Sequence, residues 1–493
     1  MAAHSDPGHN RISEVPPFAQ AETEKQPAAD RNDQNTGSGS LGAMADCASA
    51  AVTMALLTAM SFAVDGELHL SHLLLLAVSV LASLAIRLHD RTAGRIAGVP
   101  SASSEREFRL DLLRLFAITG VICIHAVDAM FPSVTTGAAP DPAMAAILPG
   151  TGTLDLYAAL RTCCYGFNIV YIMISGALLM RWKDEPLKDF YLKRVSKVLL
   201  PLLIYYFFYH WQNGMLFPLS AARIGSIFRG FFTADIELCP FYWLIYIIIS
   251  LYLIYPFMRY MMKDLPYPAL TVLAAGIVLF SGTVAYTGFV FAPVIGFWLG
   301  YAILGYWITR PESRRFDRFL LLFGIVQAVV IFRLIRQSTV NGTGHNGYMG
   351  LITPYTPIMV FLCLGYFAFV YLLPKRLIPG GKLIRFFSKY SFSAILVHWW
   401  VLYFILGRFY TQAASAGAQT GIFRSLFLSG GIFHTIYDAL LIHTGTHSAL
   451  IWLVAADLIL SAAVGALFEE YVLKAPLRIW DLLVVRRPFL RKP

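Results

Sequence analysis

Charged side chains are scarce. They make up only 14% of the 493 residues, against 57% hydrophobic ones. So little polar surface could not cover so much apolar material in water, which excludes an ordinary soluble domain and points to an integral membrane protein. Mean hydropathy of +0.62 agrees. Cysteine is sparse too. Cys47, Cys123, Cys163, Cys164, Cys239 and Cys363 fall almost entirely in apolar segments, without metal-ligand spacing or a disulfide framework. They read as small buried apolar residues. The first 43 residues lack an apolar core, which excludes a signal peptide and a packed domain. Rich in Ala, Ser, Asn, Gln and Gly, they read as a disordered tail over 1–43. With no soluble domain of useful size expected at either end, any chemistry belongs among the helices.

Runs long enough to cross a bilayer lie near 45–64, 68–88, 112–131, 156–180, 197–214, 239–260, 267–287, 289–308, 318–335, 352–373, 389–408 and 449–473. Twelve spans would put both ends on one side. The segments on that side, between or beyond the spans, carry 29 of the 39 Lys and Arg residues, and the opposite side and its flanking helix ends carry seven. An asymmetry of about four to one places both termini in the cytoplasm. The net charge of +10 is therefore topology, not a nucleic-acid footprint.

One stretch stands out, FRLDLLRLFAITGVICIHAVD from Phe108 to Asp128. Arg114 and His125 are eleven residues apart, three helical turns plus roughly 20°, so they share a face, separated by about 16 Å. That spacing takes Arg114 to a membrane surface and His125 to the middle of the hydrocarbon. Asp111 and Asp128 stand three residues from Arg114 and His125 respectively, where each can pair with its neighbour. Read singly, His125 fits a core histidine bonded to a neighbouring helix and Arg114 an interfacial anchor. The shared face with carboxylates beside both favours a functional site.

Other patterns carry less. GTGHNG at Gly342–Gly347 follows no strand in a helical chain, so it is no phosphate loop. His443 and His447 have i, i+4 spacing without the glutamate of a zinc protease helix, and with His434 they are expected in a solvated loop.

From Asp111 onward the motifs resemble, in order, those of the membrane acyltransferase-3 family of bacterial O-acyltransferases. Arg114 and His125 match its arginine, ten residues, histidine signature, and Asp111, Arg114 and Ala117 match its DxxRxxA opening. Ser175 and Gly176 in YIMISGALLM match its Ser-Gly. FYLKRVSKVLLP carries Arg194 and Lys197 where an RxxR pair is common, so the charge is kept and the second fork is lost. FYWLIYIIISLYLIYPFM, with Trp243 and Pro256, resembles the Trp-centred helix. SKYSFSAILVHWW resembles SxxIYLxH through Ser391, Leu396 and His398, with Ala394 and Ile395 replacing the isoleucine and tyrosine. FEEYVLKAPLR resembles the closing acidic residue and proline.

The resemblance implies an all-α polytopic membrane protein: a ten-helix acyltransferase-like core over 106–478, plus an N-terminal two-helix hairpin at 44–90 and a basic cytoplasmic tail at 479–493. It implies transfer of an acyl group, acetyl from acetyl-CoA in the usual case, to a hydroxyl of an exopolysaccharide or lipid-linked glycan at a bacterial inner membrane. His125 would act as general base or as a nucleophile forming an acyl-imidazole, with Asp128 fixing its tautomer. Arg114, Arg194 and Lys197 would hold coenzyme A phosphates, with Asp111 orienting Arg114. Ser175 and Gly176 would allow close approach of helices or substrate. Tyr242 and Trp243 would stack on acyl chain or sugar, and His398 would face the same cavity. Partners would be acyl-CoA on the cytoplasmic side, a glycan or glycolipid acceptor, membrane lipid and optionally a polysaccharide synthesis complex, with no metal and no nucleic acid. Two other readings stay open, a transporter or flippase of a lipid-linked sugar or small solute, and a non-catalytic subunit of such a complex.

Overall fold

The computed structural model describes residues 108–131, 152–212, 220–235, 239–287, 293–343, 347–348, 352–354, 356–374, 381–407 and 431–480. The chain divides into residues 1–46 and 47–493, and every described residue lies in the second unit. The expected tail at 1–43, the hairpin at 44–90 and residues 481–493 lie outside the described residues.

All regular structure among the described residues is helical. In chain order the helices are α1 (Phe108–Met130), α2 (Thr153–Cys164), α3 (Phe167–Leu179), α4 (Leu187–Arg194), α5 (Leu200–Gln212), α6 (Ala221–Phe232), α7 (Trp243–Met262) and α8 (Tyr267–Thr287). There follow α9 (Pro293–Ile308), α10 (Asp317–Val340), α11 (Pro357–Leu372), α12 (Gly381–Ile405), α13 (Gly431–His443), α14 (Thr446–Leu467) and α15 (Lys474–Trp480). A π-helical turn, Val195–Leu199, joins α4 to α5, and another, Phe468–Leu473, joins α14 to α15.

Among the described residues, five helical stretches are long and apolar enough to cross a membrane: Phe108–Met130, Thr153–Leu179, Pro240–Met262, Pro311–Val340 and Thr446–Leu473. Tyr267–Phe280, Trp298–Ile308 and Pro357–Leu372 are apolar but shorter. Outward-facing apolar residues on α10, such as Phe319, Leu322, Ile325 and Val329, are exposed, as lipid contact requires. α12 is 25 residues long, but Ser388, Lys389, Ser391, Ser393 and His398 interrupt its apolar run.

α1 occupies the centre of the bundle and touches α2, α3, α11, α12 and α14. Its apolar residues are buried on nearly every side, which is why it lacks an amphipathic pattern. The stretch expected as one span at 156–180 is two helices, broken at Tyr165 and Gly166. Gly166 lies against α11, where a Cβ would stand 3.0 Å from Cys363 Sγ and from Tyr366. α3 meets α9 more closely still. A Cβ on Gly176 would lie 2.1 Å from the Ala302 carbonyl oxygen, and one on Gly305 would lie 2.0 Å from that of Met173. Small residues at such crossings let two backbones approach inside a membrane. Gly176→Val is expected to destabilise the protein by about 1–3 kcal/mol. Thermal unfolding in detergent checks this, and an unchanged midpoint would contradict the packing described.

At the end of the bundle where α1 begins, Glu185 clips α4 to α7. Lys193 Nζ donates to its Oε1 at 2.6 Å and Arg259 Nη1 to its Oε2 at 3.1 Å, while Arg259 Nε donates to the Leu179 carbonyl at 2.5 Å. Burial alone would raise the Glu185 carboxyl, but the bonds from Lys193 and Arg259 outweigh it and hold it below the usual carboxylate range. A depressed carboxylate stabilises the fold fully above its ordinary value and loses that contribution as pH falls through the depressed one. The difference in unfolding midpoint between wild type and Glu185→Gln is therefore expected to be full at pH 7 and to vanish well below pH 4. A pH-independent difference would contradict the assignment.

Candidate active site

α1 and α12 run in the same direction and meet at two levels. At the first, Arg114 Nη1 donates to Asp111 Oδ1 at 2.8 Å and lies 3.3 Å from Ser388 Oγ, which itself donates to Asp111 Oδ1 at 2.6 Å. Asp111 is buried, 1% exposed, while the Arg114 side chain is 24% exposed. The expected i, i+3 pair is therefore present, and α12 supplies a third member, Ser388.

At the second level, eleven residues or about 16 Å further along α1, the His125 and His398 rings lie 5.2 Å apart, tilted by 36°. Trp399 meets His125 edge-on at 5.2 Å, and Phe241 meets His398 at 4.7 Å. His398 is fully buried, whereas His125 is half-buried. The His398 Nδ1–H donates to the Ile395 carbonyl at 2.7 Å, so this histidine is the Nδ1–H tautomer and its Nε2 carries a lone pair. That Nε2 is buried and makes no hydrogen bond to a described residue. Tyr209 fixes the surrounding turn. Its hydroxyl donates to the Leu396 carbonyl at 3.1 Å and receives the Trp400 N–H at 3.3 Å, entering the α12 ladder on either side of His398.

Asp128 does not hydrogen-bond His125. It forms an ion pair with Arg161 of α2, a guanidinium only 2% exposed that lies over the Tyr157 and Tyr348 rings. The expected role of Asp128 in fixing the His125 tautomer has no geometric support, because a neighbouring cation already holds the carboxylate.

Arg194 stacks on Phe190 at 4.7 Å, with Arg259 on the same ring at 4.8 Å. Its Nε is buried without a hydrogen-bond partner among the described residues. It lies within electrostatic reach of Tyr252, as does Arg114, which also reaches Tyr171. Ser175 borders the same region beside Tyr252 and Tyr255. Arg114 and Arg194 thus share Tyr252 as a neighbour, with Ser175 beside it. Lys197 is exposed on the π-helical turn and is not brought to them. Gly176 is filled against Ala302, so it sets a helix crossing and offers no room to substrate.

Tyr242 and Trp243 diverge. Tyr242 is buried beside Phe241 and Tyr209, at 4.7 and 5.9 Å, whereas Trp243 packs on Trp298 of α9 at 5.9 Å. Consecutive helical residues point about 100° apart, and the two rings take different neighbours. Glu469 receives the Ser393 hydroxyl at 2.7 Å, and Glu470 receives Lys389 at 3.2 Å.

A family described as an acyltransferase domain matches residues 107–433. The chain belongs to the acyltransferase-3 family. No curated protein and no solved structure matches it. Membership makes this membrane chain an acyltransferase, and the match opens just before α1 and covers both helices that carry the histidines. An acyltransferase-3 member needs an acyl donor, and the buried Arg194 Nε with the hydroxyls around Ser175 fits a phosphorylated carrier. Among the described residues no three or more His, Cys, Asp or Glu side chains gather as metal ligands. His434 is held by the Ile405 carbonyl at 3.0 Å and by Asp438 at 3.2 Å. His443 closes α13 and His447 opens α14, so both lie on helix ends where a loop was expected.

Ser388, Arg161, Tyr209, Phe241 and Trp399 escape a reading of the sequence. Ser388 alone left a trace. It precedes His398 by ten residues, nearly the interval from Arg114 to His125.

Proposed function

We propose that the chain transfers an acyl group, acetyl from acetyl-CoA, to a hydroxyl of an exopolysaccharide or lipid-linked glycan at a bacterial inner membrane. The observation that carries this reading is the close pair of His125 and His398, on the same two parallel helices that join Arg114, Asp111 and Ser388. In this reading a ten-helix core spans the membrane with both termini in the cytoplasm. Arg114 and Arg194 hold the phosphates of coenzyme A at the cytoplasmic mouth, and Lys197 adds long-range attraction.

His125, half-buried and without a hydrogen bond to a described residue, takes the proton of the acceptor hydroxyl. The hydroxyl oxygen bonds to the thioester carbonyl carbon, the carbon–sulfur bond breaks, and the proton passes from His125 to the departing thiolate. His398, locked by Ile395 and Tyr209, holds the His125 ring in place. Tyr242, beside Phe241 and Tyr209, backs the His398 side of the pair.

Proteoliposomes holding the purified chain and a bacterial glycolipid extract, supplied with radiolabelled acetyl-CoA on one face, test the reading. Label is expected in the glycolipid only when acetyl-CoA meets the face that carries the chain termini. Label entering the lumen as intact acetyl-CoA, or glycolipid moving across without label, would favour a transporter. No change with either would favour a non-catalytic subunit.

A further inference from the structure

α5 links the histidine pair to a cleft at the far end of the bundle from Arg194. Tyr209 grips α12 beside His398, while Tyr206 and His210, one turn apart on α5, line a cleft of about 420 Å3 with Arg223, Ser226 and Gly230 of α6 and with Asp235. That volume falls within the roughly 300–1,000 Å3 of small-molecule sites.

The lining mixes donors and acceptors around an aromatic ring. The His210 Nδ1–H donates to the Tyr206 carbonyl at 3.0 Å, which leaves its Nε2 as an acceptor. The Tyr206 hydroxyl donates to the Asp235 carbonyl at 3.1 Å, and Ser226 Oγ donates to the Arg223 carbonyl at 2.8 Å, keeping its lone pairs. Arg223 and Asp235, each also engaged elsewhere, belong to the same lining. Gly230 keeps the floor open, since a Cβ there would lie 2.7 Å from the Tyr206 hydroxyl. A guanidinium and a carboxylate together suit neither an acyl chain nor a simple anion. They suit a ring of hydroxyls, each of which both donates and accepts. α6 buries Ile227 and Phe231 and exposes Phe228 and Phe232, an arrangement that lets it lie in a membrane interface.

We propose that this cleft binds a sugar unit, and, resting on the acyl-transfer reading above, that the sugar is part of the acceptor. Its hydroxyl then reaches the histidines past Tyr209 and Phe241, while the acyl donor enters from the Arg114 end.

Saturation-transfer NMR on the full chain in lipid nanodiscs tests this, with methyl glycosides of glucose, galactose, mannose, rhamnose and N-acetylglucosamine as probes. At least one glycoside is expected to give a signal. It should weaken by about fivefold or more in Arg223→Gln/Asp235→Asn and in Ser226→Trp, which fills the cleft from an exposed position. Absence of any glycoside signal, or a signal that survives in both variants, overturns the proposal. Displacement by the same sugar on a polyprenyl phosphate in the disc indicates a lipid-linked source, and displacement by soluble oligosaccharide a polymer; either supports the site. Acetyl-CoA consumption by the same wild-type discs separates the two readings. A glycoside signal without consumption keeps the sugar site and removes acyl transfer, whereas consumption without a signal does the reverse.

Discussion

His125→Ala is expected to lower acyl transfer by about 10²- to 10⁴-fold, the usual contribution of a positioned proton acceptor. The protein should remain folded, because His125 packs by ring contact with His398 and Trp399 and makes no hydrogen bond to a described residue. Turnover of acetyl-CoA by detergent-solubilised protein, at matched amounts and matched unfolding midpoints, reads the effect. A loss below about tenfold would mean that the proton leaves by another route. Rapid-quench labelling then separates base from nucleophile, since only an acyl-imidazole leaves label on the wild-type protein before acceptor is added.

Arg114 gives the second large effect, and the structure changes how it has to be measured. Asp111 is 1% exposed, and Arg114 is its cationic partner in the Ser388 junction. Arg114→Ala would take the guanidinium from that buried carboxylate, at a cost of about 3–5 kcal/mol, so weak donor binding by this variant would report partial unfolding. Arg114→Lys keeps the charge but loses the guanidinium fork. It is expected to keep the unfolding midpoint within a few degrees and to raise KM for acetyl-CoA by about tenfold, with kcat changed much less. The Arg114→Ala/Asp111→Ala pair should recover most of the stability lost by Arg114→Ala and none of the donor affinity. If the double variant binds acetyl-CoA as tightly as wild type, Arg114 holds helices together and does not touch the donor.

These two residues also mark how far the sequence can be read. The interval from Arg114 to His125 fixes a shared helical face from periodicity alone, and the interval from Asp111 to Arg114 fixes their pair, because both are local consequences of about 3.6 residues per turn. Partners from other helices leave no such trace. Ser388 lies 274 positions from Arg114, and Arg161 lies 33 from Asp128. The parallel alignment of α1 and α12, which brings His398 to His125, is set by packing across the bundle. Asp128 shows the resulting error: one turn from His125 it looked like a tautomer anchor, yet a guanidinium from α2 holds it. Motif adjacency likewise says nothing of the face that Tyr242 and Trp243 each take. Gly176 could be read for packing or for substrate, and only the approach of Ala302 decides for packing.

In the proposed function, acyl transfer to a glycan depends on His125. Mass analysis of surface glycans from cells holding wild-type protein, no protein, or His125→Ala at matched membrane levels tests it most directly. An acetyl-sized increment on a glycan is expected with wild type, and its loss in the other two. A full increment with His125→Ala, or the same glycan masses in all three, would contradict it.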